Sequence, residues 1–264
     1  MPSLGFGCFG RRGPDGVTAI RTALQVGYRH LDTAQDYGTE PEVGQAIRES
    51  GLDRDEVYVT TKVATTNLAA DRVIPSLEES RRTLGVDQID LALIHWPAPN
   101  GAIAPEVYLT ELKKAQDSGI CREIGVSNFT IALINRAESL LGDGALTCNQ
   151  FELNPLFKNR KLARHCQSRG IRVTCYLPIA RGLLSQNPVL AAIARDHDAT
   201  GEQVGLAWEW AKGYAAIPTS SRSERIAAGF AAQKIRLSPG DIARIDAVPD
   251  GPRVIAPAWG PAWD

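Results

Sequence analysis

Short apolar runs and amphipathic stretches alternate from one end of the chain to the other. The runs fall at Leu4–Cys8, Tyr28–Asp32, Val57–Lys62, Ile89–His95, Cys121–Val126, Leu146–Phe151, Ile171–Tyr176 and Tyr214–Ile217. They are rich in β-branched and aromatic residues and predict about eight strands. Between them the apolar positions take the helical period, as at Val17, Ile20 and Leu24 or at Tyr108, Leu112 and Ala115. Pro105 suits a first helical turn, Gly119 and Gly170 suit helix ends, and Ser238 before Pro239 reads as an N-cap ahead of the first helical residue. The gaps are long enough for a helical crossover between parallel strands.

Eight such units without a break in composition predict an α/β fold, a closed (β/α)8 TIM barrel rather than a doubly wound sheet. One domain over residues 1–264 is expected. Residues 249–264 lack periodicity and place Trp259 and Trp263 among prolines and glycines, which predicts an ordered loop near the barrel mouth.

Gly5, Gly7 and Gly10 match a dinucleotide-binding glycine pattern, with Asp32 at a suitable distance to meet a ribose. That pattern should end a strand and open a helix. Here Arg11-Arg12-Gly13-Pro14 follows, a turn composition, so the glycines are read as a tight strand and loop.

Composition narrows the class. Lys plus Arg number 29 against 30 for Asp plus Glu, so no strong field exists for nucleic acid or an anionic membrane. Apolar residues make up 44% and charged residues 22%, an ordinary globular mix. The N-terminus lacks a basic stretch followed by an apolar run, so no secretory signal is expected. Cys8, Cys121, Cys148, Cys166 and Cys175 form no Cys-x-x-Cys pair and read as buried thiols of a cytoplasmic protein. No metal site is expected.

The polar residues that end the apolar runs carry the functional signal, because barrel chemistry collects at the C-terminal ends of the strands. They are Asp32, Lys62, His95, Ser127, Asn128, Gln150, Tyr176 and Ser220, with Tyr37 one short loop after Asp32. Singly, each has an ordinary structural explanation: a capping aspartate, a snorkelling lysine, a core histidine. A carboxylate, a lysine, a histidine and a tyrosine on one barrel face are better read as a proton-transfer site. An ammonium beside a phenol lowers its pKa and eases proton donation, a carboxylate holds the ammonium, and a neutral imidazole donates to a substrate oxygen. Such a site protonates a developing alkoxide while something else delivers a hydride. Asn128, Gln150, Tyr176 and the basic loop at Arg222 and Arg225 are candidates to hold a nicotinamide dinucleotide.

These residues resemble those of the aldo-keto reductase family. Gly27-Tyr28-Arg29-His30-Leu31-Asp32-Thr33-Ala34 through Tyr37, Glu40, Val43, Gly44 and Ile47 resembles one signature. Leu93–Pro97, Ile124–Phe129 with Asn149-Gln150, and Ile217–Ser220 resemble others, in order along nearly the whole chain. The resemblance implies an NADPH-dependent reductase of small-molecule carbonyls, such as methylglyoxal-type dicarbonyls and keto-sugar acids. It implies Tyr37 as the acid, Lys62 and Asp32 as its tuning pair, and His95 as the group positioning the carbonyl. Ser127, Asn128 and Gln150 would hold the carboxamide, Tyr176 would stack on the nicotinamide, and Thr219, Ser220, Arg222 and Arg225 would hold the phosphate end. Phe9, Trp96 and Trp259 would wall the substrate pocket. A monomer without nucleic-acid or membrane partners is expected. Two departures stand out: Val63-Ala64 follows Lys62 where the family often has a tryptophan, and Thr219 replaces a lysine. A non-catalytic barrel that senses nicotinamide redox state or serves a structural role stays open, although neither needs the Asp32, Tyr37, Lys62 and His95 set.

Overall fold

Every strand hydrogen-bonds to its neighbour in sequence, and every pairing is parallel. The computed structural model describes residues 1–264. Its strands are β1 (Phe6–Gly7), β2 (His30–Asp32), β3 (Tyr58–Val63), β4 (Ile89–Ile94), β5 (Cys121–Ser127), β6 (Cys148–Glu152), β7 (Arg172–Tyr176) and β8 (Ala215–Ala216). A parallel bridge between Leu4 and Ala216 returns the last strand to the first, with Gly5 N donating to the Ala216 carbonyl at 2.9 Å. The sheet therefore closes into the (β/α)8 barrel that the alternating pattern predicts. The ladder occupies less than the apolar runs at both ends of the chain, where β1 and β8 hold only two residues each.

Each of the first six strands is followed by one helix, and β7 and β8 by two each, 188–196 with 201–211 and 223–231 with 239–246. The stops lie where the sequence puts them. Gly119 and Gly170 take positive φ just past helices 105–117 and 160–168. Ser238 accepts from Asp241 N while the Asp241 carboxylate accepts from Ser238 N, a reciprocal cap before Pro239. Helix and strand apolar faces meet in a cluster of 54 buried residues from Leu4 to Ile245, and the next cluster has only 4, so one core carries the fold.

The glycine pattern near the N-terminus has a packing cause. A Cβ on Gly5 would lie 2.6 Å from His30 Nδ1, and one on Gly7 would lie 2.9 Å from the Ile217 carbonyl. These glycines let β1 approach its neighbours as the barrel closes; the chain does not open a dinucleotide fold there.

The last sixteen residues, 249–264, form no helix or strand but are tied to the barrel at several points, including Gly251 N on the Leu156 carbonyl and Asn100 N on the Trp259 carbonyl. Asp250 accepts from Lys158 and Arg160, Glu152 accepts from the amides of Val254 and Ile255, and the Asp264 side chain accepts from Ile131 N at 3.0 Å. The last contact sets a carboxylate at the start of helix 131–141, where the helix dipole favours a negative charge. All five cysteines are free and buried. No helix is long and apolar enough to cross a membrane.

Candidate active site

Barrel closure gathers the strand-end residues at one mouth. Asp32 is the last residue of β2, Lys62 is the fifth of six in β3, and His95 follows β4 directly. Tyr37 ends a single 3-10 turn, Gln35–Tyr37, that carries the chain away from β2.

Lys62 is fully buried, yet its ammonium has three acceptors. Nζ donates to Asp32 Oδ1 at 2.5 Å, to the Thr33 carbonyl at 2.8 Å and to the Tyr37 hydroxyl at 3.4 Å. Burial works against the charge, but Asp32 and Tyr37 outweigh it and hold the Lys62 pKa above its ordinary value. Taking away one partner of such a pair leaves the other charge stranded, at a cost of about 3–5 kcal/mol.

The phenol departs from the sequence expectation. Burial pushes the Tyr37 pKa up from its ordinary value, with Lys62 working against that shift and Asp32 adding to it. The ammonium thus limits a rise instead of producing a net fall. Tyr37 keeps its proton at neutral pH, and an ammonium placed at the hydroxyl favours a phenolate there over one without it.

Gln150 is joined to the same cluster. Its amide Nε2 donates to Asp32 Oδ2 at 2.7 Å, so the carboxylate is held at both oxygens. Beside it, Ser127 donates to the Gln150 carbonyl at 2.8 Å, Asn128 Nδ2 donates to Ser127 Oγ at 3.0 Å, and the Tyr176 hydroxyl donates to Asn128 Oδ1 at 2.8 Å. Asn128 adopts a left-handed φ of 62° as the chain leaves β5, a conformation asparagine tolerates better than most residues. The four residues read from three different strands form one chain of hydrogen bonds.

The aromatic residues rim this cluster. The Phe9 ring stands edge-on to Tyr37 at 5.1 Å and is 66% exposed, free to meet a ligand. Trp96 is buried beneath both tail tryptophans, 5.3 Å from Trp259 and 6.0 Å from Trp263. Within the tail, Arg253 stacks over the Trp263 ring at 3.5 Å, a cation–π contact that ties the tail to itself.

A cleft of about 700 Å³ opens between the loop after β7 and the helix 223–231 after β8. Thr219, Ser220 and Arg225 line it, with Leu177, Ile179 and Gln203 opposite. Arg222 does not line it. Its Nε donates to Glu224 at 2.7 Å, and both side chains are largely exposed.

One contact at the mouth has no counterpart in the sequence reading. Asp36, directly before Tyr37, places Oδ2 3.0 Å from His95 Nδ1. Its adjacency to Tyr37 was the available signal, but only the turn geometry aims it at His95.

A buried Lys62–Asp32 pair under a tyrosine, with a histidine alongside and a cleft beyond, defines an oxidoreductase site at the mouth of a barrel. The sequence pattern of the Aldo/keto reductase family matches residues 13–250, and the chain belongs to that family. It is 42% identical over 265 residues to methylglyoxal reductase DkgB of Salmonella typhimurium, spanning 100% of this chain and 99% of the relative. DkgB of Yersinia pestis is 41% identical with the same coverage. Among solved structures, one with the provisional name 2,5-diketo-D-gluconic acid reductase B superposes with a TM-score of 0.95 at 32% identity, covering 100% of this chain and 94% of that one. A Bombyx mori aldo-keto reductase in complex with NADP gives 0.89 at 33% identity, covering 97% and 92%.

Proposed function

We propose that the protein reduces small aldehydes and ketones to alcohols with NADPH, using Tyr37 as the general acid. The observation that carries this reading is the fully buried Lys62 ammonium held between Asp32 and the Tyr37 hydroxyl. A structural lysine gains nothing from being buried there, whereas a lysine that stabilises phenolate must touch the phenol.

The donor set fits a nicotinamide dinucleotide. Gln150 Oε1 accepts nothing from the protein, so it is free for a carboxamide N–H, and Ser127 and Asn128 lie beside it. Tyr176 offers a flat ring at the end of β7. In the cleft, Arg225, Thr219 and Ser220 adjoin the N-terminus of helix 223–231, where free backbone N–H groups and the helix dipole favour phosphate. The NADP bound to the Bombyx mori relative supports the same choice.

When bound, the cofactor supplies a hydride to the carbonyl carbon. This chain's residues do the rest. Tyr37 gives its hydroxyl proton to the carbonyl oxygen as negative charge develops there. Lys62 stabilises the resulting phenolate, Asp32 keeps Lys62 charged and aimed, and Gln150 keeps Asp32 in place. His95 faces the same oxygen. Phe9, Trp96 and Trp259 shape an apolar surround that limits water.

The names of the DkgB relatives support methylglyoxal as a substrate, and the provisional name of the structural neighbour supports keto-sugar acids. Five free, buried thiols accord with a reducing, cytoplasmic setting. The test is loss of near-ultraviolet NADPH absorbance on adding methylglyoxal. Oxidation that depends on the carbonyl is expected. Tight NADPH binding with no oxidation by any of a panel of aldehydes and ketones would assign the barrel to redox sensing.

A further inference from the structure

We infer that Asp36 is a positioning residue that decides which ring nitrogen of His95 carries hydrogen, and so makes the imidazole a donor to a carbonyl only in its protonated state. The inference rests on the reading above that His95 faces the substrate oxygen.

The backbone of His95 is pinned on both sides. Its N–H donates to the Val63 carbonyl at 3.2 Å and its carbonyl accepts from Asn128 Nδ2 at 3.0 Å. The ring packs edge-on to Tyr37 at 5.4 Å. What remains is the choice of tautomer, and Asp36 Oδ2 at 3.0 Å from Nδ1 makes it. The Asp36 side chain is 44% exposed, against 12% for His95. An aspartate carboxylate serves here as the acceptor of a hydrogen bond, not its donor. The hydrogen of the neutral ring therefore lies on Nδ1.

A neutral imidazole has a single N–H. With that hydrogen facing Asp36, Nε2 presents a lone pair, which repels a carbonyl oxygen. This reverses the expectation that the neutral ring donates to the substrate. Nε2 gains a hydrogen only when the ring takes a second proton. Burial lowers the His95 pKa below its ordinary value, Asp36 opposes the shift, Lys62 adds to it and Asp32 opposes it. The groups facing the ring are thus Asp36 and Tyr37 from the turn after β2, Asp32 from β2 and Lys62 from β3.

The proton count is unchanged by this device. Tyr37 transfers one proton to the alkoxide oxygen and regains one from solvent, while imidazolium His95 only donates a hydrogen bond and keeps both protons. Reduction gains this extra donor as the pH falls and loses it as the pH rises, leaving Tyr37 to act alone.

Two measurements test this in the full chain. Nitrogen-15 NMR of the histidine rings near neutral pH reads the tautomer without any turnover, with His95 assigned by the signal lost in His95→Gln. The parent should show an Nδ1–H ring at His95, Asp36→Leu an Nε2–H ring, and Asp36→Glu the parent's tautomer again. In parallel, kcat/KM for methylglyoxal is measured across pH. The ratio of Asp36→Leu to parent should rise at least about threefold between about pH 5.5 and about pH 8, because the freed neutral ring donates where the parent's does not. An Nε2–H ring in the parent overturns the inference, and so does a ratio that stays constant across pH. A parent with the Nδ1–H ring but no carbonyl-dependent turnover at any pH overturns the catalytic consequence and the reductase reading together, while leaving the tautomer assignment standing.

Discussion

Gln150 Nε2 donates to Asp32 Oδ2 at 2.7 Å, across 118 positions of sequence, while the other oxygen of that carboxylate holds Lys62. The contact links the expected nicotinamide end of the site to the pair beneath Tyr37. It also keeps the carboxylate from rotating away from the ammonium, since both of its oxygens are committed. A ligand that draws on the Gln150 amide would bear directly on Asp32.

Tyr37→Phe should lower kcat for carbonyl reduction by on the order of 10²- to 10⁴-fold, the usual cost of removing a general acid. Its Kd for NADPH should stay close to that of the parent, because the ring and its contact with Phe9 are retained. Steady-state kinetics with a fluorescence titration of NADPH checks both. Turnover at the parent rate would move the acid elsewhere.

Lys62→Met and Asp32→Asn should both depress kcat, the lysine variant more, because the ammonium touches Tyr37 and the carboxylate acts through it. The double variant should be no slower than Lys62→Met alone, since groups that act as a unit are not additive. Losses that multiply would show that Asp32 has a separate role. A variant that mainly weakens NADPH binding at Asp32 would revive the ribose reading of that residue.

Arg225→Ala should weaken NADPH by about ten- to a hundredfold and NADH far less, as expected for loss of a charge-assisted bond to the 2′-phosphate. Arg222→Ala should have the smaller effect, because its guanidinium is engaged with Glu224 and lies off the cleft. The measurement is kcat/KM for both cofactors in each variant. Equal losses with NADPH and NADH would put Arg225 on another part of the cofactor.

Trimming the chain after Ala256 removes both tryptophans from Trp96 and the Asp264 contact to Ile131. KM should change differently for small and bulky aldehydes if Trp259 walls the pocket. A uniform fall in thermal stability with an unchanged ranking of substrates would make the tail a structural strap only.

Glu209 is fully buried, and neither carboxylate oxygen has a partner. Burial raises its pKa well above the ordinary value, so the folded protein holds the proton that the unfolded chain releases. Its contribution to stability is therefore present below the ordinary carboxylate pKa and lost as the pH rises towards the folded one. Glu209→Met should stabilise the protein at pH 8 by about 1–3 kcal/mol, with a gap over the parent that widens from acid to alkaline pH. Urea unfolding at several pH values checks this, and a gap independent of pH would contradict it.

Gln150 sits in the middle of β6 and not at its end, whereas the order of elements, the helix stops at Gly119 and Gly170, the cap at Ser238 and the strand-end placement of Asp32, Lys62 and His95 were legible in the sequence by itself. Those are local properties, written in periodicity and in the residue types that turns and caps require. Only the tertiary structure decided which of these groups touch. Barrel closure brings Gln150 onto Asp32, the turn after β2 swings Asp36 onto His95, and the start of helix 223–231 leaves Arg225 lining the cleft while Arg222 folds onto Glu224. The direction of the Tyr37 shift was equally out of reach, because desolvation depends on how much protein surrounds the hydroxyl and not on which residues flank it in the chain.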